Sequence, residues 1–140
     1  MTAQKDLNLL LASMDPTLVA GEFVFCTEGE GTDADKLNPV LQFREAEGRT
    51  FIVRKEEAEA RAIPFQYPCR QITLNVHSSL SAVGFLAAIT QKLAARGISV
   101  NAVSAYYHDH LFISSDRVDE AMKILGDLVH ESQLARNEKV

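Results

Sequence analysis

The feature that most constrains the fold is a change of hydrophobic period in the second half of the chain. Residues Gln71–Val76 alternate polar and aliphatic side chains, which predicts a strand with one buried face. From Leu80 to Arg96 the apolar residues recur at helical spacing, and Gly97 stands where a glycine commonly ends a helix. The sequence therefore predicts a strand that runs through a short polar turn into a long helix.

The segments that follow extend this pattern. Ile98–Tyr107 is predicted as a strand, His108–His110 as a turn and Leu111–Ile113 as the returning strand. A last helix is predicted to begin after a cap at Ser115 or Asp116. Helices on one side of a mostly antiparallel sheet give an α+β sandwich. The predicted sheet lacks a fourth strand at its end.

The first half of the chain echoes the same order more weakly. A short amphipathic helix capped by Asp6 precedes a strand at Leu18–Cys26, which is the natural candidate to complete the sheet. A strand at Thr50–Val53 and a charged helix at Lys55–Ala62 follow. We therefore predict two related modules, the first degenerate, at residues 1–66 and 67–130, with a polar, frayed tail at 131–140.

Composition narrows the function classes. The chain has 140 residues, of which 46% are hydrophobic and 24% charged, and it contains no apolar run long enough to span a membrane. Its net charge of −5 argues against nucleic acid, because phosphate binding needs clustered Lys and Arg. The start lacks a signal-peptide pattern, so we expect a cytoplasmic protein whose Cys26 and Cys69 are reduced and buried.

Two motifs resemble chemical sites and are predicted not to be. Two His at i, i+2 in His108-Asp109-His110 could bind a metal, but a third ligand would have to come from His77 or His130. A turn whose Asp bonds its own backbone is the preferred interpretation. The segment Glu28-Gly29-Glu30-Gly31 lacks the Gly-Lys-Ser/Thr ending of a phosphate loop, which favours a solvated loop or a lid. We predict no metal and no cofactor.

The junction Val76–Gly84 is a stronger candidate for binding. A strand here runs into a helix N-terminus, whose free N–H groups and dipole attract a carboxylate. Gly84 is predicted to lie inside the helix, where glycine costs about 1 kcal/mol relative to alanine. Close approach of a ligand is one reason for such a glycine, and tight packing of helix on sheet is the other.

The segments around Gly84 resemble the ACT domain. The resemblance is carried by Val76-His77-Ser78, by Val83–Ile89, by Leu93-Ala94-Ala95-Arg96-Gly97-Ile98-Ser99-Val100 and by Val103–Ile113. The last segment looks like the variant found in aspartate-kinase-type and amino-acid-sensor ACT domains. The Pro-Gly pair of many ACT domains is replaced by Ala82-Val83-Gly84. The whole chain is similar to small bacterial proteins built of two tandem ACT-like modules.

The resemblance implies a ferredoxin-like βαββαβ fold, pairing of modules, and a regulatory role without catalysis. It implies an amino-acid ligand whose carboxylate meets the backbone near Val83, Gly84 and Phe85, with Ser104 and Asp109 binding its ammonium or side chain. Exposed sheet edges also predict a homodimer. Two competing hypotheses are an assembly module without a ligand, and a small metal-dependent enzyme that uses the His108-Asp109-His110 motif.

Overall fold

The computed structural model describes residues 6–29 and 32–138. These residues form four helices, seven strands and one 3₁₀ turn. In chain order the elements are α1 (Leu7–Ser13), β1 (Pro16–Leu18), β2 (Phe23–Thr27), the 3₁₀ turn (Ala34–Lys36), β3 (Leu41–Glu45), β4 (Gly48–Arg54), α2 (Lys55–Ala60), β5 (Gln66–Leu74), α3 (Phe85–Ala94), β6 (Asn101–Ser104), β7 (Asp109–Ser114) and α4 (Val118–Asn137).

The chain forms two compact units, one of which is built from two separate segments of the chain. The middle unit is Ala20–Arg70, and the terminal unit combines Met1–Val19 with Gln71–Val140. Strand β5 therefore contributes its first residues to the middle unit and its last residues to the terminal unit. The sequence predicted two modules, 1–66 and 67–130, that are separated at a single point in the chain. These boundaries stay a prediction.

The terminal unit has the ferredoxin-like strand order β1-β5-β7-β6. Strand β1 pairs antiparallel with the end of β5, with Pro16 opposite Leu74 and Leu18 opposite Ile72. It therefore takes the place of the fourth strand that is missing from the second half of the chain. One apolar core lies beneath α1, α3 and α4, and its fully buried members include Leu10, Met14, Ile72, Leu74, Ile89, Leu93, Leu111, Ile113 and Leu125.

The middle unit repeats the order as β3-β4-β2-β5, with β3 and β4, β4 and β2, and β2 and β5 paired antiparallel. A short 3₁₀ turn stands where the terminal unit has the long helix α3, which explains why this module looked degenerate in sequence. Its core is small and consists of Val24, Cys26, Leu37, Phe51, Val53, Ala58 and Ile63.

Several predicted boundaries were wrong for local reasons. The strand predicted at Leu18–Cys26 is divided into β1 and β2, because Gly21 takes a left-handed φ of 90° between them. Strand β5 runs from Gln66 to Leu74, whereas the sequence predicted a strand at Gln71–Val76. Helix α4 begins at Val118, after Arg117, and neither Ser115 nor Asp116 is its cap.

The predicted frayed tail is also corrected by the structure. Helix α4 continues to Asn137, and Ser132 is buried within it. The Gln133 side chain donates a hydrogen bond to the Ala12 carbonyl at 3.1 Å, and Arg136 donates one to Asn8 at 3.3 Å. The end of α4 is thus held against α1, where Asp6 caps the helix by accepting a hydrogen bond from the Leu9 N–H.

The structure predicts that α1 is needed for the stability of the terminal unit. Leu10 is fully buried in the core, so Leu10→Ala should lower the free energy of unfolding by about 2–5 kcal/mol through lost burial and a cavity. Leu134→Ala makes the same chemical change at a side chain that is 48% exposed and should cost less than about 1 kcal/mol. Denaturant unfolding of the two variants measures this, and equal losses would contradict the role of α1.

Candidate functional site

One pocket of the terminal unit gathers the end of β5, the start of α3 and the β6–β7 turn. Its volume is about 140 Å³. Four of the five site residues predicted from the sequence line it, namely Gly84, Phe85, Ser104 and Asp109. The other lining residues are Ser78, Ser79, Leu80, Ala82, Leu86, Ala87 and Ala105. Val83 does not line this pocket, and its side chain is 86% exposed.

Gly84 forms the N-terminal boundary of α3 and does not lie inside the helix. The predicted start at Leu80 was wrong, because Gly84 has a left-handed φ of 92° and the first helical residue is Phe85. The Ala88 N–H donates to the Gly84 carbonyl at 2.9 Å and closes the first turn. The N–H groups at the start of a helix have no partner within the helix, and here that turn lines the pocket.

Asp109 supplies the acidic group of the pocket. It is the first residue of β7, lies opposite Ser104 of β6, and is only 6% exposed. The Ser78 hydroxyl donates to its carboxylate at 3.3 Å. Within residues 6–29 and 32–138, no Lys or Arg forms an ion pair with Asp109. A buried carboxylate is costly without compensation, so this pocket favours a ligand that brings a hydrogen-bond donor or a positive charge.

Two serines of the pocket, Ser78 and Ser79, were missing from the predicted site. Ser78 and Ser79 follow directly after the strand segment Gln71–Val76, and a hydroxyl pair between a strand and a helix start is the signal that could have identified them. Ser79 accepts a hydrogen bond from the Ser81 N–H at 3.2 Å, which shapes the loop before α3. The hydroxyls of Ser78 and Ser79 add polar groups to the pocket wall next to Asp109.

His108 and His110 lie near the pocket, and each has a hydrogen-bonding partner on or next to β5. The predicted turn at His108–His110 was wrong, because the turn spans 105–108 and Asp109 and His110 belong to β7. His108 Nδ1 lies 3.2 Å from the Val76 carbonyl, and His110 Nδ1 lies 3.0 Å from the Thr73 hydroxyl. Among the described residues, no group of three His, Cys, Asp or Glu side chains is placed to hold a metal ion.

Both cysteines are buried and free. Burial, together with Glu22, raises the pKa of the Cys69 thiol to about 12. Burial is also the main cause that raises the pKa of Cys26, with a smaller effect of Glu57. Both thiols are therefore protonated at neutral pH and are poor nucleophiles.

The middle unit contains a larger surface cleft, of about 560 Å³, beside α2. Several of its polar groups already have hydrogen-bond or ion-pair partners. Glu57 accepts from the Asn38 N–H at 3.1 Å and lies 3.9 Å from Arg61, and Arg54 donates to the Ala20 carbonyl at 3.2 Å. The smaller pocket around Asp109 is therefore the better candidate site, in spite of its size.

Comparison with known proteins identifies the fold. ACT-domain models match residues 2–70 and residues 66–127. A crystal structure of a protein of unknown function from Vibrio cholerae, described as a possible transport protein, is 43% identical, with a TM-score of 0.79. The match covers 89% of this chain and 97% of that one.

The chain belongs to the ACT-domain family. It contains two ACT domains in tandem, in a mixed α+β fold of ferredoxin-like units, as predicted from the sequence. ACT domains are regulatory modules, which supports a regulatory, ligand-binding role for this chain. None of the helices among the described residues is long and apolar enough to cross a membrane. No curated protein matches the chain in sequence.

More distant structures share the fold. The aspartokinase alpha and beta subunits align with a TM-score of 0.62 at 11% identity, over 82% of this chain and 97% of that one. The regulatory subunit of aspartate kinase from Thermus flavus aligns with a TM-score of 0.59 at 11% identity, over 81% and 95%. At this identity the likeness establishes the architecture of the tandem ACT domains.

The conformation of Gly84 gives a testable prediction. Alanine at Gly84 should destabilise the protein by about 1 kcal/mol or more, because side chains rarely adopt a φ of 92°. Gly126→Ala is the matched control: Gly126 lies inside α4, nothing comes within 4 Å of an added Cβ, and alanine there should stabilise by up to about 1 kcal/mol. Denaturant midpoints of both variants test this, and a stabilised Gly84→Ala variant would refute the left-handed conformation.

A second prediction concerns pH. Burial, and then the nearby His108, lower the pKa of His110, although Asp109 opposes the shift. The unfolded state therefore binds more protons than the folded state once the pH falls below about 6.5, the ordinary histidine value. Stability contributed by neutral His110 is present above that pH and is lost as the pH falls toward the lowered pKa.

We expect His110→Asn to lose less stability than the parent protein between pH 7 and pH 5. The exposed His130→Asn serves as the control and should follow the parent. Urea unfolding at the two pH values measures the difference. An identical pH dependence for the parent and His110→Asn would show that His110 is not protected from protonation.

Proposed function

We propose that this protein is a non-catalytic, cytoplasmic regulatory sensor that acts as a homodimer and binds a small amino acid in the pocket around Asp109. The observation that carries the proposal is the buried Asp109 carboxylate, which has no Lys or Arg as an ion-pair partner among the described residues and lines the same pocket as the first turn of α3. An acidic group and a helix N-terminus suit the ammonium and the carboxylate of an amino acid respectively.

The pocket size favours a short ligand. Its volume of about 140 Å³ is well below that of a typical drug-sized site. The hydroxyls of Ser78, Ser79 and Ser104 add hydrogen-bonding groups, so a short polar side chain suits the pocket better than an aromatic one. Among the predicted site residues, Gly84, Phe85, Ser104 and Asp109 are proposed to contact the ligand. Val83 is proposed to border the pocket.

An assembly module without a ligand is the second candidate. Leu80, Val83, Tyr106 and Tyr107 are large apolar or aromatic side chains on the segments around the pocket, and each is at least 63% exposed. Exposed apolar patches mark interaction surfaces as well as ligand sites. The two candidates differ in whether any free amino acid stabilises the folded protein.

A thermal-shift screen against the standard amino acids, followed by calorimetry on any hit, tests the proposal. A ligand that binds only the folded state at 100 times its dissociation constant should stabilise by about 2.7 kcal/mol. Asp109→Asn keeps the shape of the side chain and removes its charge, so it should weaken binding of the hit at least about tenfold.

Asp127→Asn is the matched control, since Asp127 is exposed on α4 and pairs with Lys123. Its affinity should equal that of the parent. If no amino acid raises the melting temperature, the sensor proposal fails and the assembly module is favoured. If a hit binds Asp109→Asn as tightly as the parent, the amino acid is bound elsewhere.

A further inference from the structure

The pocket around Asp109 is built from segments that contain no fixed charge. Neither residues 71–91 nor residues 97–108 contain an Asp, Glu, Lys or Arg, and all lining residues other than Asp109 come from these two stretches. Three of the four histidines of the chain, His77, His108 and His110, lie in or next to the same stretches. Histidine is the side chain that ordinarily changes its charge near neutral pH, so the charge around Asp109 depends on protons.

His110 follows Asp109 on β7, and two groups that can carry a charge act on it. The ring centroids of His108 and His110 are 6.4 Å apart, and Asp109 is the preceding residue of the strand. Burial, and then His108, lower the pKa of His110, whereas the negative charge of Asp109 favours the protonated ring. This interaction is reciprocal, so a proton on His110 partly supplies the positive charge that the Asp109 carboxylate favours.

The other neighbours of His110 are uncharged and can accommodate either protonation state. Val103 of β6 lies opposite it, and from β5 the Thr73 hydroxyl lies 3.0 Å and the Gln71 amide nitrogen 3.3 Å from His110 Nδ1. Neutral Nδ1 accepts from that amide nitrogen. Gln71 Oε1 is buried and has no hydrogen-bond partner among the described residues, so a half-turn of the amide can present it to a protonated ring. Protonation of His110 is thus a reversible change within the folded sheet.

We propose that a proton on His110 competes with the ammonium of an amino acid bound at Asp109, so that the pocket releases its ligand as the pH falls. The inference rests on the proposed function and adds a regulation to the same site. In that binding mode the ammonium lies beside Asp109, next to His110, whereas the carboxylate lies at the start of α3. A positive His110 ring therefore repels the ammonium more than it attracts the carboxylate. Both ligand groups keep their charges between pH 7 and pH 5, so the protein supplies the change.

Calorimetry of the full chain with L-serine, and with any other amino acid that the thermal-shift screen returns, measures the dissociation constant at pH 7 and at pH 5. We expect the parent to bind at least about threefold more weakly at pH 5. His110→Asn should lose most of that pH dependence, because asparagine takes up no proton in this range. His130→Asn, at the exposed histidine of α4, is the matched control and should keep the pH dependence of the parent.

A second measurement tests the coupling without a ligand. NMR titration of the histidine ring protons follows His110 in the parent, in Asp109→Asn and in the control Asp127→Asn. Asp109→Asn removes the charge that favours the protonated ring, so the pKa of His110 should fall further, and Asp127→Asn should leave it unchanged.

The outcomes separate this inference from the proposed function. An amino acid that binds equally well at both pH values, or a His110→Asn variant with the pH dependence of the parent, would overturn the inference and leave the amino-acid site in place. The same holds if the pKa of His110 is identical in the parent and in Asp109→Asn. If neither L-serine nor any screened amino acid binds at either pH, the proposed function fails and this inference with it.

Discussion

The fold of the terminal unit depends on the antiparallel pairing of β1 with the last residues of β5. Pro16, Thr17 and Leu18 lie opposite Leu74, Thr73 and Ile72. Without β1, the second half of the chain provides three strands, and the last residues of β5 form an open edge of the sheet. Asn75 reinforces the pairing by donating a hydrogen bond to the Asp15 carbonyl at 2.9 Å. The pairing explains why one ACT unit is built from both ends of the chain, with α1 packed into the same core.

This arrangement also positions the candidate site. With β5 held between β1 and β7, the loop after β5 brings Ser78 to within 3.3 Å of Asp109 at the start of β7. The left-handed backbone of Gly84 then begins α3 at the pocket wall. The acidic group and the helix start are therefore fixed by separate parts of the fold. A site with both groups in place needs little rearrangement to bind a ligand, which lowers the entropic cost of binding.

The sequence predicted the order of elements in the second half, because periodicity and the ACT resemblance both report local structure. Four of its five candidate site residues line one pocket, and their role in binding stays a prediction. The sequence could not place the start of α3, because the period of Ser81–Phe85 is compatible with helix and only the left-handed φ of Gly84 excludes it. It also missed the break at Gly21 and the continuation of α4 past Glu131. The break follows from the left-handed backbone of Gly21, whereas the continuation of α4 depends on tertiary contacts, such as the bond from Gln133 to Ala12, that no local pattern contains.

The central claim is that the chain binds an amino acid at the pocket of the terminal unit. The most direct test is a ¹H–¹⁵N NMR titration of the full chain with a mixture of the standard amino acids. The account predicts that the amide signals of Phe85, Leu86 and Asp109 shift in a saturable way while those of Arg54–Arg61, beside the larger cleft, stay in place. Shifts confined to Arg54–Arg61, or no saturable shift at any amide, would contradict it.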